Sequence, residues 1–332
     1  MGEYARCLAL ANAVQVGWPQ VEIRFLLSRH APYAATTPFP VDLLPASVTL
    51  ASREALAALE AFQPDAIVFD NAGRSRQLAA ARRLGARIIY ISSRARQRRK
   101  GFRLGWMRAI DEHWIAYPPA LVGGLGPVER IKRALLGRPT IRFLDMLLPP
   151  ADDAAALPHL NGPTWPRIVV VPGGGSAHPG ALDAPAQFAA AAAQLAARGI
   201  DTAFVAGPAF SASLAAHPQL CVVRQADGGA LRSLLEHAEV VLANGGDTLI
   251  QALVLRRACV AVPIAADQRE RITRCAALGI VVAPDIEGAA QACVALLSDA
   301  ASRARLQQRI DSLGWCDGMP EALAALGRAI RG

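Results

Sequence analysis

Short runs of branched and aromatic residues alternate with alanine- and leucine-rich stretches from one end of this chain to the other, which restricts the fold to parallel βαβ units. In the first half, Val21–Leu27, Ala66–Phe69, Arg87–Ser92 and Trp114–Tyr117 read as strands, with helices near Cys7–Gln15, Arg53–Ala61 and Arg76–Leu84. The second half repeats the pattern, with strands at Ile168–Val171, Thr202–Val205, Cys221–Arg224, Val240–Ala243, Cys259–Val262 and Ile280–Ala283. Its helices fall at about Ala186–Arg198, Ala230–His237, Leu249–Leu255, Gln268–Ala277 and Ala289–Leu297. The expected class is α/β with doubly wound parallel sheets.

A chain of 332 residues exceeds what one hydrophobic core organises, so two domains are expected. The boundary is set by proline: Leu148-Pro-Pro-Ala-Asp-Asp and Asn161-Gly-Pro-Thr-Trp-Pro166 can continue neither a helix nor a central strand. This gives an N-terminal domain over 1–150, a linker over 151–166 and a C-terminal domain over 167–332. The opening, Met1-Gly-Glu-Tyr-Ala-Arg-Cys, reads as a glycine turn leading at once into a helix with no strand before it. In a doubly wound sheet that first strand lies in the middle, and its loss strands buried backbone groups at about 1–3 kcal/mol each. Either the true start lies upstream, or this half is rearranged and impaired.

No run approaches the ~20 apolar residues of a bilayer crossing. The N-terminus has no secretory signal pattern, so a soluble, cytoplasmic protein is expected. The six cysteines are widely spaced with no CxxC pair, and read as small buried hydrophobes, with no metal site. The net charge of +8 is concentrated in Arg94–Arg103, where six cations fall within ten residues. Arg96, Arg98 and Arg99 are the candidates there for anion binding, toward a phosphate-bearing acceptor or an anionic membrane surface at the inner face of the cytoplasmic membrane. The alternative is a solvated face. Nucleic acid is not expected, because Phe102 is the run's one aromatic.

Three segments carry the chemistry. Glu239-Val-Val-Leu-Ala-Asn-Gly-Gly-Asp-Thr-Leu-Ile-Gln251 is a strand ending in two glycines that turns directly into a helix. Such a turn lets a ligand approach the backbone, and the first helical N–H groups favour phosphate, with Asp247 as N-cap. Tight packing alone produces the same pattern. Val169-Val-Val-Pro-Gly-Gly-Gly-Ser-Ala-His-Pro-Gly180 is a second strand running into a glycine loop, within which His178 faces either the ligand or solvent. Ala258-Cys-Val-Ala-Val-Pro-Ile-Ala-Ala-Asp-Gln268 ends a strand with an Asp-Gln pair suited to sugar hydroxyls, or with Asp267 as a helix cap.

In order and spacing these segments resemble the GT-B superfamily, most closely the C-terminal domain of its family 28 type, which includes the lipid II-forming N-acetylglucosaminyltransferase and the UDP-sugar hydrolase of the pseudaminic acid pathway. The likeness covers about Ile168–Asp285. It is looser over Glu3–Ala11, Phe62–Asp70 and Leu84–Tyr90. The resemblance implies two Rossmann-like domains facing across a cleft, with the last helix near Pro320–Ile330 crossing back to the first half. It implies a metal-independent, cofactor-free glycosyltransferase that moves a sugar from a UDP or dTDP donor to a cell-envelope or metabolite acceptor. Hydrolysis or epimerisation of the nucleotide-sugar is the alternative, as is a degenerate binding protein. By resemblance Gly174, Gly175 and Ser176 border the cleft, Gly245, Gly246 and Thr248 hold the diphosphate, and Asp267 and Gln268 meet the sugar. Gln251 stands where relatives place a ribose-binding glutamate, and Arg271 where they place asparagine. The family's histidine base aligns with Glu3, which can serve if burial lifts its pKa toward neutrality, or else is an acidic residue favourable to a helix dipole. Asp70, at a strand's end, is the second base candidate, or a cap.

Overall fold

The computed structural model describes residues 2–173, 184–207, 210, 212, 214–224 and 226–331, the side chains of 267 and 329–331 excepted. The chain divides into two compact units: Glu3–Leu147 with Gly318–Gly332, and Leu148–Asp317 with Met1–Gly2.

The N-terminal unit contains β1 (Phe25–Ser28), β2 (Val41–Leu44), β3 (Ala66–Asp70), β4 (Arg87–Ser92), β5 (Glu112–Ile115) and β6 (Thr140–Phe143), all paired in parallel. They do not form one sheet. β1 pairs with β2, and a separate sheet runs β3-β4-β5-β6. In the doubly wound order, a leading strand takes the place between the next strand and the fourth, which is where the two sheets part here. Burial follows that division. The β4 run Arg-Ile-Ile-Tyr-Ile-Ser is buried in five of its six residues, whereas all four residues of β1 and the first three of β3 are half-exposed. The strands β2 and β6 lie outside the runs expected from sequence, because Val-Asp-Leu-Leu and Thr-Ile-Arg-Phe interrupt their apolar residues with charge.

The helix Met319–Arg331 belongs to this unit. Its Met319, Ala322, Ala325 and Leu326, spaced three and four apart, pack with Leu10, Val14, Ile89 and Trp114. The chain re-enters through Gly318, whose N–H donates to Met146 O at 2.7 Å. A Cβ at that position would lie 3.0 Å from Leu144 Cβ and 3.2 Å from its Cα, so a larger residue there would have to push the neighbouring strand end aside.

The C-terminal unit contains β7 (Ile168–Val171), β8 (Thr202–Val205), β9 (Leu220–Val223), β10 (Val240–Ala243), β11 (Ala258–Ala261) and β12 (Val281–Val282) in one parallel sheet of order β12-β11-β10-β7-β8-β9. The strands β7, β8, β10 and β11 are buried at every residue, as expected of a sheet covered on both faces. On one face, Phe188 and Leu195 of helix Ala184–Ala197 pack with Cys293 and Leu296 of helix Ala289–Ser298. Four of the six cysteines are buried, and burial pushes Cys275 up to about 11 and Cys293 up to about 12. The proline-rich segment after Leu147 is not bare linker. It holds a helical turn, Asp153–Ala156, capped by Asp152 Oδ1 accepting from Ala155 N at 2.9 Å. Arg232 Nη1 donates to Pro149 O at 2.7 Å and fixes it to this unit.

Candidate functional site

The strand order of the C-terminal unit reverses at one place. From β7 the chain proceeds outward through β8 and β9, then returns to place β10, β11 and β12 on β7's other side. In an open parallel sheet, the crevice outside the carboxyl ends at such a switch point is where ligands bind. Here the carboxyl end of β7 leads into Pro172–Gly173 and that of β10 into Asn244–Gly245–Gly246. One side chain ties the two together. Buried Asn244 donates from Nδ2 to Pro172 O at 2.7 Å and accepts at Oδ1 from Gly246 N at 2.8 Å. Gly173 has φ +100°, and a Cβ on it would lie 2.2 Å from Asn244 Nδ2, so two turns converge where only glycine fits.

Gln268 closes the other side. Its buried Oε1 accepts from Gly245 N at 3.3 Å and from Ile264 N at 3.0 Å, which joins the β10 turn to the loop after β11. Its carbonyl thus holds the backbone of both turns. Arg271 donates to Gly245 O, which puts a guanidinium beside the same turn. Helix Asp247–Val254 begins with Gly246 in the cap position and Asp247 as its first residue, so Asp247 is not the N-cap. Leu249, Ile250, Ala252 and Leu253 bury one side of this helix, and Thr248 and Gln251, three residues apart, lie half-buried on the other. Gly174, Gly175, Ser176 and His178 lie outside the described residues; Asp267 is the second residue of helix Ala266–Ala277, its side chain likewise outside them. The sequence reading missed Asn244 and the placement of Arg271. The signal was an asparagine preceding two glycines, but its partner Pro172 is 72 positions away.

In the N-terminal unit, Asp70 ends β3 and is buried against Arg6, whose Nε and Nη2 donate to its two oxygens at 2.7 and 3.0 Å. A carboxylate held bidentately by a buried guanidinium is a strong structural anchor. Asn71 follows in left-handed backbone, φ +53°, and staples β3 to β4. Its Nδ2 donates to Ser93 Oγ at 2.7 Å, and its Oδ1 accepts from Ser93 N at 3.0 Å. The same Nδ2 lies 3.3 Å from Glu3 Oε1, and Arg94 Nη2 approaches that oxygen at 3.3 Å. Burial raises the Glu3 pKa, but a backbone hydrogen bond, Arg94 and Asn71 outweigh it, and the carboxyl settles below its ordinary value. That shift is opposite to the rise a general base needs near pH 7. Glu3 is ionised at neutral pH and suited to accepting a hydrogen bond.

The basic run forms helix Ala95–Gly101. Within it Arg98 is inward: its Nη2 donates to Glu129 Oε2 at 2.6 Å and to Gly124 O at 2.7 Å, and its Nη1 to Gly123 O at 2.7 Å. Arg96 and Arg99 are exposed. Lys100 donates to Gly73 O at 2.7 Å, and burial followed by Arg74, Arg103 and Arg96 lowers its pKa. Among the described residues, no group of three or more His, Cys, Asp or Glu could hold a metal ion, and no helix is long and apolar enough to cross a membrane.

No protein-family model matches the chain, and no curated protein matches it in sequence. Solved structures do. Phytolacca americana UGT2, complexed with UDP-2fluoro-glucose and pterostilbene, superposes with a TM-score of 0.66 at 13% identity, over 100% of this chain and 98% of its own. The glycosyltransferase SnogD from Streptomyces nogalater gives 0.64 at 18%, over 98% and 95%. Streptomyces sp. SF2575 glycosyltransferase SsfS6, complexed with thymidine diphosphate, gives 0.61 at 14%, over 97% and 96%. The fold is GT-B. Within the GT-B group the finer likeness to family 28 rests on the sequence motifs alone.

Proposed function

We propose that this chain is a nucleotide-sugar-dependent glycosyltransferase whose C-terminal unit seats a UDP or dTDP diphosphate at the β7–β10 switch point. The observation that carries the reading is the convergence there of two glycine turns on Asn244, whose bonds to Pro172 O and Gly246 N fix the start of helix Asp247–Val254 at the switch point. GT-B neighbours complexed with UDP-2fluoro-glucose and thymidine diphosphate support it.

On this reading Gly174, Gly175, Ser176, Gly245, Gly246 and Thr248 surround the diphosphate, Gln251 meets the ribose and Asp267 the sugar. Gln268 acts by holding the Gly245 turn in place. Backbone N–H groups and Arg271 stabilise the departing diphosphate, and neither metal nor cofactor is required. Glu3 accepts a hydrogen bond from the acceptor hydroxyl, and Asp70 fixes Arg6. Arg96 and Arg99, with Arg98 anchoring their helix, attract an anionic metabolite or cell-envelope acceptor to this cytoplasmic enzyme.

Calorimetric titration with UDP and dTDP in the presence of EDTA tests the proposal. Saturable binding of at least one below about 1 mM is expected. Binding of neither, or binding that requires a divalent metal, would overturn it.

A further inference from the structure

The strands β4, β5 and β6 are parallel, so Arg87, Glu112 and Thr140, their first residues, share the sheet edge opposite Asp70 and Ser93. A cavity of about 480 Å³ opens at that edge, lined by Arg82, Arg87, Asp111, Arg138, Thr140 and Arg328, together with Glu112. Four guanidinium groups thus face two carboxylates. Both carboxylates are already engaged. Asp111 Oδ1 accepts from Arg82 Nη1 at 2.9 Å and Arg138 Nη2 at 2.8 Å, and its Oδ2 from Arg82 Nη1 at 3.1 Å and Ile88 N at 2.8 Å. Those four bonds fill the roughly four lone-pair positions that a carboxylate offers. Arg87 is accordingly left at 3.9 Å, beyond hydrogen-bonding range. Glu112 Oε2 accepts from Arg142 Nε at 2.8 Å and Trp114 Nε1 at 2.6 Å.

We infer that this cavity is a binding site for a phosphate-bearing small molecule, in which Arg87 and Arg328 grip the phosphate while Arg82 and Arg138, fixed by Asp111, supply the surrounding positive field. A planar guanidinium presents a two-pronged donor fork that matches phosphate oxygens; among the described residues Arg87 has only the 3.9 Å ion pair to Asp111, and neither it nor Arg328 spends its fork on a side-chain hydrogen bond. The volume lies in the range of small-molecule sites. The site shares no residue with the proposed donor seat and does not depend on it.

Inorganic phosphate, titrated at constant ionic strength into the full chain and followed by calorimetry, is the probe. The wild type is expected to bind saturably below about 10 mM, and R87Q/R328Q to bind at least tenfold more weakly with an unchanged circular dichroism spectrum. Should that double variant fail to fold, T140E adds a carboxylate at the exposed cavity rim and is expected to weaken phosphate to a similar degree. Absence of saturation in the wild type, or affinity retained in the folded variant, would overturn the inference.

Discussion

Replacing Asn244 by alanine removes a side chain that joins the ends of β7 and β10. Two hydrogen bonds are lost, at 2.7 Å to Pro172 O and 2.8 Å from Gly246 N, in a residue only 5% exposed. A net hydrogen bond contributes about 1 kcal/mol, and a buried group left unsatisfied costs about 1–3 kcal/mol, so a loss of about 3 kcal/mol is expected. In a unit of this size, that lowers Tm by roughly 6–12 °C. The effect on ligand binding has a separate origin: the Gly245–Gly246 turn loses its brace and the start of helix Asp247–Val254 its fixed position, and nucleoside diphosphate affinity is expected to fall about tenfold, or ~1.4 kcal/mol. Asn244→Asp separates the two bonds, since it keeps an acceptor for Gly246 N but sets a carboxylate oxygen against Pro172 O. It should destabilise the unit as well, and weaken diphosphate binding further through charge. Urea unfolding and UDP calorimetry on both variants give the answer. An Asn244→Ala protein melting within about 1 °C of wild type would refute the claim that this residue braces the switch point.

Two further perturbations test the N-terminal unit. Burial, with Arg98 adding to it, lowers the His113 imidazole to about 3, so the unfolded chain takes up this proton first on acidification. Stability should therefore fall from about pH 6.5 downward by up to about 1.4 kcal/mol per pH unit until pH 3, and His113→Gln should lose that component; equal slopes of urea midpoint against pH in both proteins would count against it. Arg6→Met leaves the buried Asp70 carboxylate without its bidentate partner and should cost about 3 kcal/mol, whereas Arg6→Met/Asp70→Leu should recover most of that; a double variant no more stable than the single would show that the pair is not coupled.

What the sequence disclosed was mostly local. The strands β7, β10 and β11 are uninterrupted apolar runs, as is β4 between its terminal Arg87 and Ser92, and strands buried on both faces have to be written that way. The Gly245–Gly246 turn was equally legible, because glycine at the exit of such a run has few other uses. By contrast, β2 and β6 carry Asp42 and Arg142 within four-residue strands and do not stand out from loops. The side chains whose surroundings were not legible depend on partners far away in the chain. Arg98 looks like one more solvated cation until Glu129 is brought beside it, and Asp70 looks like a free strand-end acid until Arg6 reaches it across 64 positions. Gln268 reads as a ligand residue from its neighbours, yet the backbone of Gly245, 23 positions earlier, takes its carbonyl.

These long-range bonds divide the chemistry between the two units. In the C-terminal unit the turn at the switch point is held by neutral amides, Asn244 and Gln268, each bonded to two backbone groups from different loops. Dipoles fixed in this way need no reorganisation when negative charge grows on a departing diphosphate, and that fixity is what gives them leverage over a transition state. The N-terminal unit uses ions instead, with Arg6 on Asp70 and Arg94 beside Glu3. Charges paired so closely hold geometry well, and the lowered pKa of Glu3 makes that carboxyl a poor proton acceptor at neutral pH. On the proposed reading, rate enhancement therefore comes chiefly from stabilising the leaving group, with the acceptor oriented more than deprotonated. An acceptor whose hydroxyl is already acidic suits that division better than a simple alcohol.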